Sequence, residues 1–279
     1  MKVGLVLEGG AMRGLYTAGI LDVFMEQGIT VDIAVGTSAG ALFGVNFLSK
    51  QKGRAIRYNK RFNGDPRYMG LRVLLKEGNY FGNFAYHDVP FELDPFDDGA
   101  YKASGVPFYA VATEMESGNP EYILVKSVFE QMDVLRASGS MPMVSTPVEI
   151  DGKLYLDGGI SDSIAFEWME TQGVDKMIVI LTQDRAYRKK PMAKVMTWPY
   201  KRKYPKIYER LQHRHESYNA RVERLNAFEA AGKAFVFRPE LPLPIGRIEK
   251  DPAKLQEAYD IGVRDAKRLM PELLKYLEQ

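Results

Sequence analysis

Two strand–turn–helix units within the first fifty residues constrain the fold more than any other feature of this sequence. Val3–Leu7 is a short apolar run that leads into a glycine-rich turn, and apolar residues at helical spacing follow it as far as Gly28. Residues 31–35 form a second apolar run, with a turn at Gly36 and helical spacing to about Leu48. Strands that alternate with helices predict a parallel sheet with crossover helices. We therefore expect an α/β fold.

The middle of the chain predicts further strands with less regular spacing. Residues 108–112 and 122–125 are strand-like, and residues 177–181 predict another buried strand. Asp151-Gly152 lies between two apolar runs and predicts the turn of a hairpin. Residues 49–105 mix aromatic, glycine and charged residues without a sustained period, which predicts a loop-rich insertion with short helices.

The end of the chain predicts an amphipathic helix. Its apolar stripe runs from Leu255 to Leu269 and predicts a helix that is interrupted, or restarts, at Pro271. No segment has the composition of a linker and no internal repeat occurs. We therefore expect residues 1–279 to form a single domain.

Composition excludes several kinds of chemistry. Cysteine is absent, which excludes disulfides, thiolate catalysis and cysteine-based zinc or iron–sulfur sites. The apolar run at the N-terminus is too short for a signal peptide, and no stretch approaches the ~18 apolar residues of a membrane-spanning helix. We therefore expect a cytoplasmic protein whose contact with membranes is at most peripheral.

A serine flanked by glycines lies between the second strand and its helix, in the sequence Gly36-Thr37-Ser38-Ala39-Gly40. This order is typical of a nucleophile elbow, which holds the serine hydroxyl exposed on a sharp turn near the positive end of a helix. The alternative is a serine that only caps the helix. The flanking strand and helix favour Ser38 as a nucleophile.

A glycine-rich turn follows the first strand, in the sequence Gly9-Gly10-Ala11-Met12-Arg13-Gly14. Its backbone N–H groups could bind a nucleotide phosphate or the oxyanion of a tetrahedral intermediate. Ala11 breaks the dinucleotide pattern, and the Walker pattern lacks its end. A tight turn without a ligand is an equal alternative for this loop alone. We expect Arg13 to hold the loop by hydrogen bonds rather than to contact a substrate.

An aspartate follows the predicted strand 154–156, in the sequence Asp157-Gly158-Gly159. Taken alone, an aspartate in a turn is the simpler interpretation. A Ser–His–Asp triad needs a suitable imidazole. The three histidines lie away from the ends of the predicted strands: His87, His213 and His215. A direct Ser–Asp dyad is therefore the economical alternative.

Together the three motifs resemble those of patatin-like phospholipases in order, spacing and context. The sequence of residues 137–142 also resembles the family, and the resemblance covers roughly the first 165 residues. It implies a three-layer α/β/α sandwich with a mainly parallel central sheet. It also implies a Ser–Asp dyad that works without histidine, with the glycine-rich loop as the oxyanion hole.

The resemblance assigns roles to individual residues. Ser38 would be the nucleophile, Asp157 the base, and the amides of Gly9, Gly10 and Ala11 the oxyanion hole. Ala11 departs from the family, which usually has a third glycine there. The implied activity is hydrolysis of carboxylic esters of lipids through an acyl-serine intermediate, without cofactor or metal. Two alternatives stay open: acyl transfer by the same dyad, and a non-catalytic module that binds lipid or nucleotide.

Residues 184–214 form a basic and aromatic tract. Eleven Lys or Arg residues stand against two acids there, with tyrosine, tryptophan and methionine interleaved. This composition suits an anionic membrane surface, but a solvated surface balanced by acids elsewhere is equally compatible. We expect no nucleic-acid partner, because no recognition motif accompanies the charges. The acidic sequence at residues 94–99 fails the calcium-loop pattern because Phe96 occupies a ligand position.

Overall fold

A single eight-stranded sheet forms the centre of the molecule, in a computed structural model that describes residues 1–279. Its strands are β1 Val3–Leu7, β2 Ile33–Thr37, β3 Phe108–Glu114, β4 Pro120–Leu124, β5 Val148–Ile150, β6 Lys153–Asp157, β7 Lys176–Ile180 and β8 Phe235–Phe237. Their order is β5-β6-β3-β2-β1-β7-β8, and β4 also pairs with β3. Strands β3, β2, β1, β7 and β8 are parallel, whereas β4, β5 and β6 pair antiparallel. The predicted α/β class is confirmed.

Helices cover both faces of the sheet. They are α1 Gly14–Glu26, α2 Ala39–Leu48, α3 Arg54–Phe62, α4 Leu71–Glu77, α5 Asp98–Ala103, α6 Met132–Gly139, α7 Phe166–Thr171, α8 Lys194–Thr197, α9 Pro205–Ala230 and α10 Pro252–Glu278. Leu5 and Leu7 of β1 belong to a core that includes residues of α1, α2 and α10. Val6 points the other way, into a core with α7 and α9. This alternation produces the three-layer α/β/α arrangement.

Residues 49–105 contain more helix than the sequence predicted. Besides α3, α4 and α5, Phe84–Leu93 forms a π-helix with Pro90 inside it. Its wider turns shift the apolar residues away from a 3.6-residue period, which hid the helix from pattern analysis. Side chains of this segment, such as Phe62, Tyr68 and Phe84, form a core of their own over α1 and α2.

The last helix differs from the expected interruption at Pro271. Helix α10 runs unbroken from Pro252 to Glu278 through that residue. Proline removes one hydrogen bond to the carbonyl four residues earlier, at Lys267. Both residues are exposed, so water can satisfy that carbonyl and the helix continues.

The C-terminal part of the chain packs against the N-terminal part. Strand β8 pairs with β7, and α10 packs on α1, where the Tyr16 hydroxyl donates a hydrogen bond of 2.9 Å to Asp265. We propose on this basis that residues 1–279 form one domain. None of the helices combines the length and the apolar character needed to cross a bilayer.

Candidate active site

Ser38 and Asp157 meet at one edge of the sheet, although 119 positions separate them in the chain. Ser38 directly follows β2, and Asp157 is the last residue of β6. Both strands flank β3, where Val111 pairs with Thr37 and Ala112 pairs with Asp157. The Ser38 Oγ donates a hydrogen bond of 2.7 Å to Asp157 Oδ2, and both residues are buried. The structure therefore brings the predicted nucleophile and base into direct contact.

The backbone at Ser38 adopts an unusual conformation. Its φ is +54° and its ψ is −119°, a region that costs a residue with a Cβ about 1–3 kcal/mol. The Ser38 amide donates a hydrogen bond of 2.8 Å to Ser138 Oγ, and Ser138 Oγ donates one of 2.6 Å to the Val111 carbonyl. These bonds hold the sharp turn that places the serine between β2 and α2, as in a nucleophile elbow.

The glycines around Ser38 allow this turn to lie close to β1. Gly36 is in β2 and Gly40 is in the first turn of α2. A Cβ on Gly40 would collide with the backbone carbonyl of Leu7. No larger residue fits at this position without moving β1 away from the helix that carries the nucleophile.

The carboxylate of Asp157 is held on both oxygens. Its Oδ1 accepts a hydrogen bond of 2.7 Å from the Gly159 amide, while Oδ2 accepts from Ser38. Gly158 lies against the Val111 carbonyl with no room for a Cβ. The Gly159 carbonyl in turn accepts a hydrogen bond of 2.5 Å from Arg214 Nε. The carboxylate is thus fixed in the orientation that reaches the serine.

The glycine-rich loop lies directly over the nucleophile. A Cβ on Gly9 would come within 3.0 Å of Ser38 Cβ. The amides of Gly9, Gly10 and Ala11 donate no hydrogen bond within the protein, whereas the next amide, of Met12, donates to the Arg247 carbonyl at 3.3 Å. Amides without an internal partner, in a loop that packs against a serine, are the type of donor that an oxyanion hole requires.

Ala11 has a φ of +49°, in the region that favours glycine. The structure therefore retains at Ala11 the backbone conformation that a third glycine would adopt more easily. Gly14 begins α1, where a Cβ would come within 2.9 Å of Ala39 Cβ. Arg13 donates hydrogen bonds of 2.6 and 2.8 Å to the side-chain oxygen of Gln183, with the Gln183 amide turned to present that oxygen. Arg13 thereby links the loop to the chain beyond β7.

An apolar cavity opens beside Ser38. Seventeen of its twenty-two lining residues are hydrophobic, and most of them come from α2, α6 and the 49–105 segment. Its one charged lining residue, Arg54, contacts Asp94 at 3.4 Å and donates two hydrogen bonds to the Asp94 carbonyl. Burial raises the pKa of Tyr58 to about 12 and also raises the pKa of Tyr68 and Tyr86, so all three phenols in the lining stay neutral. The cavity can hold an acyl chain next to the nucleophile.

The histidines take no part in this arrangement. His87 stacks on Phe91, and His213 contacts Glu216 at 2.9 Å on the exposed side of α9. His215 lies 3.7 Å from the same glutamate. No histidine contacts Ser38 or Asp157, so the serine has the aspartate as its titratable neighbour.

Several residues near the dyad were not identified from the sequence. Ser138 lies in the stretch that resembled the family, but the sequence did not predict that its hydroxyl would accept a hydrogen bond from the Ser38 amide. Arg214 was counted in the basic tract, yet it reaches the loop after Asp157. Glu8 is buried at the end of β1, where it accepts hydrogen bonds from Thr182 and Tyr218. A charged residue directly after a buried strand was the one available signal for Glu8.

Comparison with known families identifies the class of this protein. A family model described as patatin-like phospholipase matches residues 5–167, which is more than half of the chain. A second model, described as a domain of unknown function (DUF6363), matches residues 204–278. The chain belongs to the patatin-like phospholipase family. This membership supports lipid hydrolase activity in general terms.

Individual relatives share modest identity with this chain. The uncharacterized protein YjjU of Escherichia coli (strain K12) is 29% identical over 277 residues, which cover 94% of this chain and 75% of that protein. The lysophospholipase nte1 of Aspergillus fumigatus is 28% identical over 183 residues, which cover 64% of this chain but 12% of the fungal protein. The structure of VipD from Legionella pneumophila aligns with a TM-score of 0.47 at 12% identity, over 97% of this chain and 67% of VipD.

Proposed function

We propose that this protein hydrolyses carboxylic esters of lipids with Ser38 as the nucleophile and Asp157 as the base. The observation that carries the proposal is the 2.7 Å hydrogen bond between Ser38 Oγ and Asp157 Oδ2 beside an apolar cavity. The loop that carries the unbonded amides of Gly9, Gly10 and Ala11 packs against the same serine through Gly9. Nucleophile, base, oxyanion donors and acyl site therefore share one location.

The first half of the reaction transfers the acyl group to the enzyme. Ser38 Oγ attacks the ester carbonyl carbon as its proton passes to Asp157 Oδ2. The carbonyl oxygen becomes an oxyanion and accepts hydrogen bonds from the glycine-rich loop. When the tetrahedral intermediate collapses, the bond to the alcohol oxygen breaks, and Asp157 returns the proton to that oxygen. The products are a free alcohol and acyl-Ser38.

The second half releases the acid. A water molecule gives a proton to Asp157 as its oxygen attacks the acyl-Ser38 carbonyl, and the same amides stabilise the second oxyanion. Collapse breaks the bond to Ser38 Oγ, which takes the proton back from Asp157. Because the base returns the proton each time, the cycle needs no histidine, metal or cofactor.

We propose a lysophospholipid as the first substrate to assay, because the matched fungal relative is named a lysophospholipase. Fatty acid release would be measured with the wild-type chain and with Ser38→Ala and Asp157→Asn. We expect release by the wild type and its loss by ~10³-fold or more in both variants. Release that persists in Ser38→Ala would contradict the proposal. A product whose formation depends on an added alcohol acceptor would identify acyl transfer by the same dyad.

We further propose that the segment of residues 194–200 and the three cations after it contact an anionic lipid surface. Val195 and Trp198 in this segment are 78% and 67% exposed. Lys201, Arg202 and Lys203 form no ion pair, although other cations of the tract, such as Arg185 and Arg188, pair with glutamates of α9. Exposed tryptophan next to unpaired cations suits the headgroup region of a bilayer.

The position of this segment supports its role in docking. The Tyr200 hydroxyl accepts a hydrogen bond of 3.0 Å from the Met143 amide, and Met141 of the same loop lines the acyl cavity. A surface that docks here would therefore present lipid near the cavity.

Sedimentation with vesicles tests docking. Vesicles that contain phosphatidylglycerol should bind the wild type more strongly than phosphatidylcholine vesicles. Replacement of Lys201, Arg202 and Lys203 by glutamine should weaken binding by roughly 100-fold, at about 1 kcal/mol per charge. The matched control replaces Arg264, Lys267 and Lys275, which are exposed on α10. Equal binding by both triple variants would contradict docking by this segment.

A further inference from the structure

Four cationic side chains around the glycine-rich loop lack a carboxylate partner: Arg13, Lys189, Arg214 and Arg247. The Lys189 ammonium lies 4.1 Å from the centre of the Tyr218 ring and donates no hydrogen bond. Arg214 donates one side-chain hydrogen bond, to the Gly159 carbonyl. Arg247 contacts the loop through its backbone carbonyl, and its guanidinium has no hydrogen-bonded partner. Positive charge therefore accumulates here without direct contact to a carboxylate.

Three other arginines that are largely removed from water are each paired with a carboxylate. Arg54 contacts Asp94, Arg221 contacts Asp162 at 3.2 Å, and Arg238 contacts Glu229 at 2.6 Å. Pairing is what a cation removed from water requires. Arg13 and Arg214, which are half-buried, have no such carboxylate partner.

The nearby carboxylates, Glu8 and Asp157, form their hydrogen bonds with other groups. Glu8 accepts hydrogen bonds from the Thr182 amide and hydroxyl and from the Tyr218 hydroxyl. Asp157 accepts from Ser38 and the Gly159 amide. Burial first, and then the positive charges of Arg214 and Arg247, lower the pKa of Lys189 well below its usual value. An anion bound among these groups would oppose that effect.

We propose that Lys189, Arg214 and Arg247 form a binding site for a phosphoryl group next to the catalytic dyad. Guanidinium and ammonium groups are the side chains that bind phosphate most strongly. Arg214 donates a hydrogen bond to Gly159, which follows Asp157 by two residues in the sequence. None of the three cations lines the acyl cavity. An ester bond at Ser38 would lie between an apolar acyl site and a cationic site.

Two sources could supply this phosphoryl group. One is the headgroup of a lipid substrate, and this source rests on the hydrolase activity proposed above. The other is free phosphate, or a soluble phosphorylated compound, bound independently of catalysis. The site has the same chemistry in both cases, so the experiment has one arm for binding and one for substrate preference.

The binding arm measures the melting temperature in inorganic phosphate against sodium chloride at equal ionic strength. Phosphate should raise the melting temperature of the wild type saturably, by roughly 2 °C or more. Lys189→Met and Arg247→Gln should abolish most of this rise. Arg247 is exposed, so its replacement should leave folding intact. The matched control is Lys233→Met, which removes a lysine that lies 4.9 Å from the Phe228 ring elsewhere on the surface.

The substrate arm compares monopalmitoylglycerol with the same compound phosphorylated on its glycerol. The wild type should prefer the phosphorylated ester in kcat/KM by roughly 10- to 100-fold. Arg247→Gln should reduce that preference, and Lys233→Met should retain it. Phosphate binding without a substrate preference would assign the site to a free anion.

The two arms separate this inference from the proposed activity. A wild type that hydrolyses neither ester would contradict the proposed function, while the melting experiment would still decide whether the site exists. The absence of both a phosphate-specific rise and a substrate preference would overturn the site. An equal phosphate-induced rise in wild type, Lys189→Met and Arg247→Gln would overturn it as well.

Discussion

Arg214 of α9 donates a hydrogen bond of 2.5 Å from its Nε to the carbonyl oxygen of Gly159, two residues after Asp157. Arg214 lies in the stretch that matches the domain of unknown function, and Gly159 lies in the stretch that matches the patatin-like phospholipase model. The same glycine donates its amide to Asp157 Oδ1 at 2.7 Å. The C-terminal part of the chain therefore holds the loop that orients the proposed base.

Replacing Arg214 should reduce turnover because the Asp157 loop loses this support. We expect Arg214→Met to lower kcat by roughly 10- to 100-fold, even on an uncharged short-chain ester that lacks phosphate. The control is Arg210→Met, one turn earlier on α9, where Nε donates to the Gly118 carbonyl at 2.9 Å away from the dyad. Equal loss of kcat in the two variants would show that any change in α9 lowers kcat, and would contradict a specific role of Arg214 in holding the Asp157 loop.

A side chain at Gly9 should disrupt the oxyanion hole. The new Cβ in Gly9→Ala would lie 2.9 Å from the Thr37 carbonyl oxygen and 3.0 Å from Ser38 Cβ, so the loop must move. We expect kcat to fall by ~100-fold or more, the loss typical of one missing oxyanion donor. Gly64→Ala is the control, since a Cβ there meets nothing within 4 Å. Activity near the wild-type level in Gly9→Ala would exclude this loop as the oxyanion hole.

The strained backbone at Ser38 should lower the free energy of unfolding by a measurable amount. Ser38→Gly and Ser38→Ala both remove the hydroxyl, but only glycine adopts a φ of +54° without penalty. We expect the glycine variant to have the larger free energy of unfolding by about 1 kcal/mol, after the greater entropy of the unfolded glycine chain is included. Denaturant unfolding of both variants measures the difference. An alanine variant of equal or greater stability would contradict strain at the nucleophile.

The acyl cavity extends along α2, so a larger side chain deeper on that helix should shorten it. Val45 lines the cavity and follows Ser38 by seven residues, about 10 Å along the helix axis. Val45→Phe should greatly reduce hydrolysis of a palmitoyl ester and retain hydrolysis of a butyryl ester. Val45→Ala should keep both activities. If Val45→Phe lowered both activities equally, the acyl chain would have to follow another path.

The contact between Ser38 and Asp157 and the central strands could be predicted from the sequence because their signals are local. Ser38 directly follows β2 and Asp157 ends β6, and glycines lie within two residues of each, so strand, turn and functional residue occur within a few positions. The antiparallel pairing of β6 with β3 then places Asp157 opposite Ala112, next to the point where β2 ends at Thr37. The acyl cavity could not be predicted in this way, because part of it is a π-helix whose period differs from the one that pattern analysis recognises.

The directions in which the cations of the basic tract point could not be predicted from the sequence. Residues 184–214 predicted one positively charged surface, but Arg214 points to the Asp157 loop and Lys189 to Tyr218. Whether a charged side chain points outward or inward depends on what α9 packs against, which its neighbours in the sequence do not specify. Composition alone therefore could not separate these two residues from Lys201, Arg202 and Lys203.

Covalent labelling tests the central claim most directly. The purified protein would be treated with a fluorophosphonate ester, and the adduct located by peptide mass spectrometry, with Asp157→Asn alongside. The proposed dyad predicts an adduct confined to Ser38, formed at least ~100-fold more slowly when Asp157 is replaced. A folded wild type that carries no adduct at Ser38, or that labels at the same rate without Asp157, would contradict the dyad.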